Sequence, residues 1–207
     1  MNYIENIFIC ICAPLLIAVF FLRGKTRYMM LFMIAGITMC LLSSYVSTFI
    51  AAVQQADLTV ASLEIAPLVE EIMKLLPLLF CIVVFGVNAE DAADAVLMTA
   101  VGFSTFENVC YLTQNGSEHL FALVVRGFGT GAMHIVCGSI TAFGITSLWY
   151  RKWLRLAGSF ALLSAAAVYH GAYNILVSQT GAAAYIGYGI PLVTAIVLLS
   201  IRLRRKK

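Results

Sequence analysis

Residues 65–87 read IAPLVEEIMKLLPLLFCIVVFGV. Length and apolarity suit one membrane crossing, which takes about 20 residues at the helical rise. Yet Glu70, Glu71 and Lys74 stand inside it, and each such charge costs at least roughly 2.5–3.5 kcal/mol at membrane depth. Whether this segment crosses decides how many spans there are. It also decides which end of every other helix meets the cytoplasm.

The surrounding chain argues that it does cross. Of 207 residues, 62% are hydrophobic and 11% are Asp, Glu, Lys or Arg, whereas a soluble domain carries about 25% charged residues. A soluble core cannot absorb that much apolar surface, so lipid is the solvent. Seven apolar segments can be drawn: about 4–22, 28–53, 65–87, 92–113, 118–149, 154–178 and 182–201. Short loops join them, and no linker, repeat or low-complexity stretch divides the chain. The expectation is an all-α polytopic bundle of about seven transmembrane helices, forming a single domain over 1–207. The N-terminal segment lacks a basic leader and a small-residue cleavage site, which predicts a retained first span.

Charge placement tests the count. Eleven of the 13 Lys and Arg form three clusters: Arg23, Lys25 and Arg27; Arg151, Lys152 and Arg155; and Arg202, Arg204, Arg205, Lys206 and Lys207. With seven spans and the N-terminus outside, all three clusters fall on the cytoplasmic side, as the positive-inside rule requires. An error of one span would misplace a cluster. The predicted orientation is N-out and C-in. The net charge of +3 is thus read as a topology signal rather than as a sign of nucleic acid, because the clusters flank apolar runs. Segment 118–149 is long for one perpendicular span, and RGFGTG at 126–131 predicts a break there, with 118–127 lying along the outer interface.

Removing the topology charges leaves Glu64, Glu70, Glu71, Lys74, Glu107, Asn108, Arg126, His134, His170 and Asn174. Ionisable groups persist at membrane depth when they are paired, wetted or used. Glu70 and Lys74 are i,i+4 on one face, and Glu71 and Lys74 are i,i+3. His170 and Asn174 are also i,i+4. Arg126, Thr130 and His134 form one stripe if their helix is continuous. Measured from the outer span ends, Glu70, Glu107, His134 and His170 all sit roughly 8–12 Å deep. Four helices offering polar groups at one depth predict a single cavity opening outward. A carboxylate shielded by lipid is a competent base near neutral pH, histidine can relay a proton, and an asparagine amide can donate to an oxyanion. Together they describe water activation and attack on a peptide carbonyl.

VEEIMK (69–74), GFSTFENVCYL (102–112), His134 and HGAYN (170–174) resemble the PrsW family of intramembrane proteases, within the superfamily of CAAX-prenyl endopeptidases and bacterial abortive-infection proteins. The resemblance covers roughly residues 60–180, the expected catalytic core. It implies a glutamate-type protease of the bacterial plasma membrane that needs no metal or other cofactor. Its partner would be a single-span substrate such as an anti-sigma factor, clipped near the outer face as a site-1 cut. By resemblance the catalytic residues are Glu70, Glu71, His134 and His170, with Glu70 as base. Lys74, Glu107, Asn108, Arg126 and Asn174 support them, and Asn174 matches the superfamily position that serves the oxyanion.

Competing readings remain from the residues themselves. Glu71 and Lys74 could be a buried ion pair that fixes helix register. Arg126 could snorkel toward headgroups, and Glu107 with Asn108 could tie helices together. Glu64 could support Glu71 from the next turn or be an outer-loop charge, and His119 with Glu118 suits the outer surface. Zinc stays open, because two histidines and a glutamate are a usable donor set, although no HExxH occurs. The six cysteines lie in apolar segments without metal-site spacing, and nothing near Cys110 or Cys137 would stabilise a thiolate. From another class, a proton-coupled transporter or channel would use Glu70, Glu71, Glu107 and the histidines as a relay. Such a path needs polar groups at both faces, and the inner halves are almost uniformly apolar.

Overall fold

The computed structural model describes residues 3–86, 89–115, 120–148 and 152–204. Among them there is no strand. The helices are α1 (Ile4–Phe21), α2 (Gly24–Gln54), the short α3 (Leu58–Val60), α4 (Ala66–Phe85), α5 (Ala89–Asn115), α6 (Leu120–Leu148), α7 (Lys152–Val177) and α8 (Ala182–Arg204). Six of them (α1, α2, α5, α6, α7 and α8) are long and apolar enough to cross a membrane. The 20-residue α4 stands apart only through its three charges, and it buries two of those, Glu71 and Lys74, inside the bundle. Large apolar side chains such as Phe20, Phe21, Val83 and Val193 face outward, the reverse of a soluble surface and what a lipid solvent favours.

The most extensive pairing joins α2 to α5, and two glycines explain it. A Cβ at Gly36 would stand 2.1 Å from the Thr99 carbonyl oxygen, and one at Gly102 would stand 2.0 Å from that of Met33. The two backbones therefore touch, the small-residue contact that membrane helices use where no hydrophobic effect drives association. α5 also packs on α6, and α6 on α7 and α8, while α4 lies against α2 and α7. α1 lies along α2, and Phe8 meets Phe106 of α5 edge to face at 5.8 Å.

α3 leads into α4 through a π-helical turn, Ala61–Ile65. Pro67 accounts for it, because a proline lacks the N–H that would bond the Leu63 carbonyl and its ring crowds that oxygen. Widened turns of this kind shift which carbonyls are satisfied. Asn174 of α7 reaches across to donate from Nδ2 to the Ser62 carbonyl at 3.1 Å. Gly171, one turn earlier on α7, lies beside Leu63 and Pro67 at this point.

One expectation is corrected. α6 runs unbroken from Leu120 to Leu148, so residues 120–127 do not form a separate interfacial helix. Gly129 serves packing instead, since a Cβ there would come within 2.7 Å of the Tyr188 ring on α8, while Gly127 and Gly131 have open space. His119 and Glu118 lie outside the described residues, as do Arg151 and the tail from Arg205.

Candidate active site

Four helices converge on one buried cluster. α4 supplies Glu70, Glu71 and Lys74; α5 supplies Phe103 and Glu107; α6 supplies Arg126, Thr130 and His134; α7 supplies His170 and Tyr173. Because α6 is continuous, Arg126, Thr130 and His134 keep one face. Glu71, Lys74, His134 and His170 are all buried.

The contacts form a chain. Lys74 Nζ donates to Glu71 Oε1 at 2.5 Å and to His134 Nδ1 at 2.9 Å. An ammonium has only donors, so Nδ1 must accept. That assigns the remaining imidazole proton to Nε2, which donates to Glu107 Oε2 at 2.5 Å. Arg126 approaches the other oxygen of Glu107 at 3.4 Å, and its guanidinium lies 3.5 Å from the centre of the Tyr111 ring. Phe103 floors the cluster, with its ring centre 5.2 Å from that of His134 and 4.8 Å from Lys74 Nζ.

At the other end, His170 Nδ1 donates to Glu71 Oε1 at 2.9 Å. Glu71 is thus committed twice, to Lys74 and to His170, and sets the orientation of both. His170 Nε2 faces Glu70 Oε2 at 3.6 Å, and in the neutral imidazole that donates from Nδ1 it carries the lone pair. That carboxylate oxygen is buried and has no hydrogen-bond partner. Two acceptors face each other across a gap too wide for a direct bond. The arrangement calls for a third group carrying protons or positive charge.

A metal ion is one candidate. Glu70, His134 and His170 offer ligand atoms within 4.8 Å of one another, the mixed nitrogen and oxygen donors zinc accepts. Glu71 on His170 is the carboxylate–histidine arrangement that orients metal ligands. The orphaned Glu70 oxygen also fits. His134 would have to exchange its contact with Lys74 or Glu107 for the ion.

The residues singled out by sequence meet here with three exceptions, Asn174, Asn108 and Glu64. The Asn174 amide is directed to the Ser62 carbonyl rather than to the cluster. Asn108 faces a small cavity between α5 and α6. Arg126 is turned inward to Glu107 and Tyr111, and Glu64 is exposed. Sequence reasoning missed Tyr173, whose hydroxyl shares a 2.7 Å hydrogen bond with Thr130. Its place three residues after His170, on the same helix face, was the available signal. Cys137 donates weakly to the Ala166 carbonyl at 3.4 Å, and all six cysteines are free thiols.

Neither the curated proteins nor the solved structures contain a match to this chain. The sequence motifs and the all-α membrane bundle agree with a family match. The family model described as PrsW family intramembrane metalloprotease matches residues 23–201, and the chain belongs to that family.

Proposed function

We propose that the protein hydrolyses a peptide bond of a single-span membrane protein near the extracytoplasmic face of a bacterial plasma membrane, with an anti-sigma factor as the substrate class. The observation that carries the chemistry is the gap between Glu70 Oε2 and His170 Nε2, two acceptors 3.6 Å apart. A water donating to both would be held and polarised there. As its oxygen attacks the scissile carbonyl, Glu70 takes a proton; when the C–N bond breaks, that proton passes to the leaving amine. His170, locked by Glu71, orients the water. Lys74 neutralises Glu71 and fixes the His134 tautomer, and Glu107 with Arg126 holds the far side of His134. Asn174 secures the π-turn that starts α4.

The donor set of Glu70, His134 and His170 supports a second reading, in line with the family description. A divalent ion held by these residues would supply Lewis-acid polarisation of the carbonyl. Transport is disfavoured by Phe32, Leu78, Ala92, Ala95, Val96 and Ala142, which form an apolar plug in the other half of the bundle.

The test uses purified protein in liposomes with single-span anti-sigma factors as substrates. Cleavage is expected from the wild type and lost in Glu70→Gln. Cleavage that persists in Glu70→Gln would overturn the assignment of the base. Loss on strong chelation, restored by zinc, selects the metal reading, and activity indifferent to chelators selects the metal-free one. Proton flux that depends on Glu70, without cleavage, would replace both.

A further inference from the structure

α6 and α7 run antiparallel, and three successive rungs join them around the histidine pair. On the first rung the Thr130 and Tyr173 hydroxyls share a 2.7 Å hydrogen bond. On the third, Cys137 Sγ approaches the Ala166 carbonyl oxygen at 3.4 Å. Between them lie His134 and His170, edge to face with ring centres 5.1 Å apart. Thr130 is one turn before His134 on α6, and Tyr173 is one turn after His170 on α7. Cys137 and Ala166 stand one turn off on the other side. All six residues are buried, and Met133, Cys137, Ala166 and Tyr173 pack as one cluster.

The two histidines do not hold each other. His134 bonds to Lys74 and Glu107, and His170 bonds to Glu71, all partners on α4 and α5. The spacing of the rings across α6 and α7 is therefore set by the rungs that flank them. Those rungs are unequal, because a thiol contact is weak whereas paired hydroxyls at this distance make a full hydrogen bond. Thr130 also departs from the habit of helical threonines in this chain. Thr99 and Thr141, likewise buried, each donate to the carbonyl four residues back, a local bond that joins no second helix. Thr130 turns to Tyr173 instead, in a buried place where an unpaired phenol would be costly.

We propose that Thr130 and Tyr173 are positioning residues, a latch that acts through α6 and α7 to hold His134 and His170 at the spacing the reaction requires. The inference rests on the protease reading, which it deepens with two residues that act at one remove from the chemistry. A displacement of about 1 Å at a reacting group is enough to lower a rate about 100-fold. The loss should fall on kcat, since neither residue is assigned to substrate binding.

Two measurements on the purified full-length protein in micelles test this. Cleavage of the single-span anti-sigma factors gives kcat and KM. Labelling with nitrogen-15 histidine gives the imidazole resonances of the three histidines, assigned by His134→Gln and His170→Gln, and these report ring surroundings without any need for catalysis. Tyr173→Phe and Thr130→Val each delete one hydroxyl at nearly constant shape. Each should lower kcat about 10- to 100-fold with KM nearly unchanged, and the two together should do no worse than either alone. Both should shift or broaden the resonances of His134 and His170. Thr130→Ser keeps the hydroxyl and should behave as the wild type. The matched control is Tyr169→Phe, which deletes a tyrosine–threonine bond from the same helix, to Thr194 at 3.3 Å, but toward α8. It should move neither kcat nor the resonances.

Wild-type kcat and resonances in Tyr173→Phe and Thr130→Val would overturn the latch and leave the protease reading standing. Equal losses in Tyr169→Phe would also overturn it, because any bond of α7 would then serve. Loss of kcat with unmoved resonances would overturn it in favour of a hydroxyl that touches substrate. Shifted resonances with kcat intact would overturn it too, since histidine spacing would not limit the reaction. If one variant does not fold, the other carries the test, as each deletes the same bond. No cleavage by the wild type, with the histidine resonances still moved by Tyr173→Phe and not by Tyr169→Phe, would sink the protease reading and keep the latch.

Discussion

Glu70 and Glu71 are adjacent in sequence yet have different tasks, because neighbours on a helix point about 100° apart. Glu71 faces Lys74 and His170 and is spent on both. Glu70 keeps an oxygen free. Sequence alone showed the pair but could not divide the roles, since the deciding partner, His170, lies 99 residues away from Glu71. Glu70→Gln should therefore lower kcat by at least about 100-fold, the scale of a lost general base, with thermal stability nearly kept. A single-turnover assay and an unfolding curve on the same sample check both halves. Lys74→Met should instead cost about 3–5 kcal/mol, because it strands Glu71 as a buried unpaired charge. The double variant Lys74→Met, Glu71→Gln should recover part of that loss, and strict additivity in a denaturant titration would break the proposed coupling.

At the scale of elements, helix identity and approximate bounds were readable from apolar length. What glycine does within a helix was not. The run from Gly127 to Gly131 looked like a break, but whether a glycine breaks a helix or seats a neighbour depends on that neighbour, here Tyr188. The π-turn before α4 went unread although Pro67 announces it. Gly102→Ala should destabilise the protein by about 1–3 kcal/mol, as overpacking does, because its Cβ would meet the Met33 carbonyl. Gly131→Ala, where no atom lies within 4 Å of the added carbon, should be neutral or stabilising by up to about 1 kcal/mol. Melting temperatures of the two variants in one detergent decide the contrast. Asn174→Ala should cost about 1 kcal/mol by freeing the Ser62 carbonyl, and an unchanged melting temperature would remove its structural role.

For the whole molecule, composition disclosed the solvent, and the spacing of basic clusters favours N-out and C-in. The convergence of Glu70, Glu107, His134 and His170 was legible because all four lie at similar depth on separate helices. The chain of contacts among them was not, since depth says nothing of rotation about each helix axis. The inward turn of Arg126 shows the same limit: at an interface its length allows either direction, and only Glu107 and Tyr111 on the facing helix decide. Reporter fusions can check the orientation. A cytoplasm-active reporter after Arg204 should function, while the same reporter at Gln55, in the α2–α3 turn, should stay silent. The opposite pattern would turn the site toward the cytoplasm and with it the face at which substrates are cut.

The glycine contact between α2 and α5 has a mechanical consequence. Most packed helices meet through side chains, whose rotamers act as compliant filler and allow small slides. Where carbonyl oxygens of one helix rest against the bare Cα of the other, as at Gly36 and Gly102, that filler is missing. A slide of α5 along α2 would drive oxygen into carbon within a fraction of an ångström. The joint therefore has almost no play, and Phe103, next to Gly102, inherits its rigidity one residue away. The floor beneath His134 and Lys74 works as a fixed anvil against which the mobile parts of a reaction can be struck.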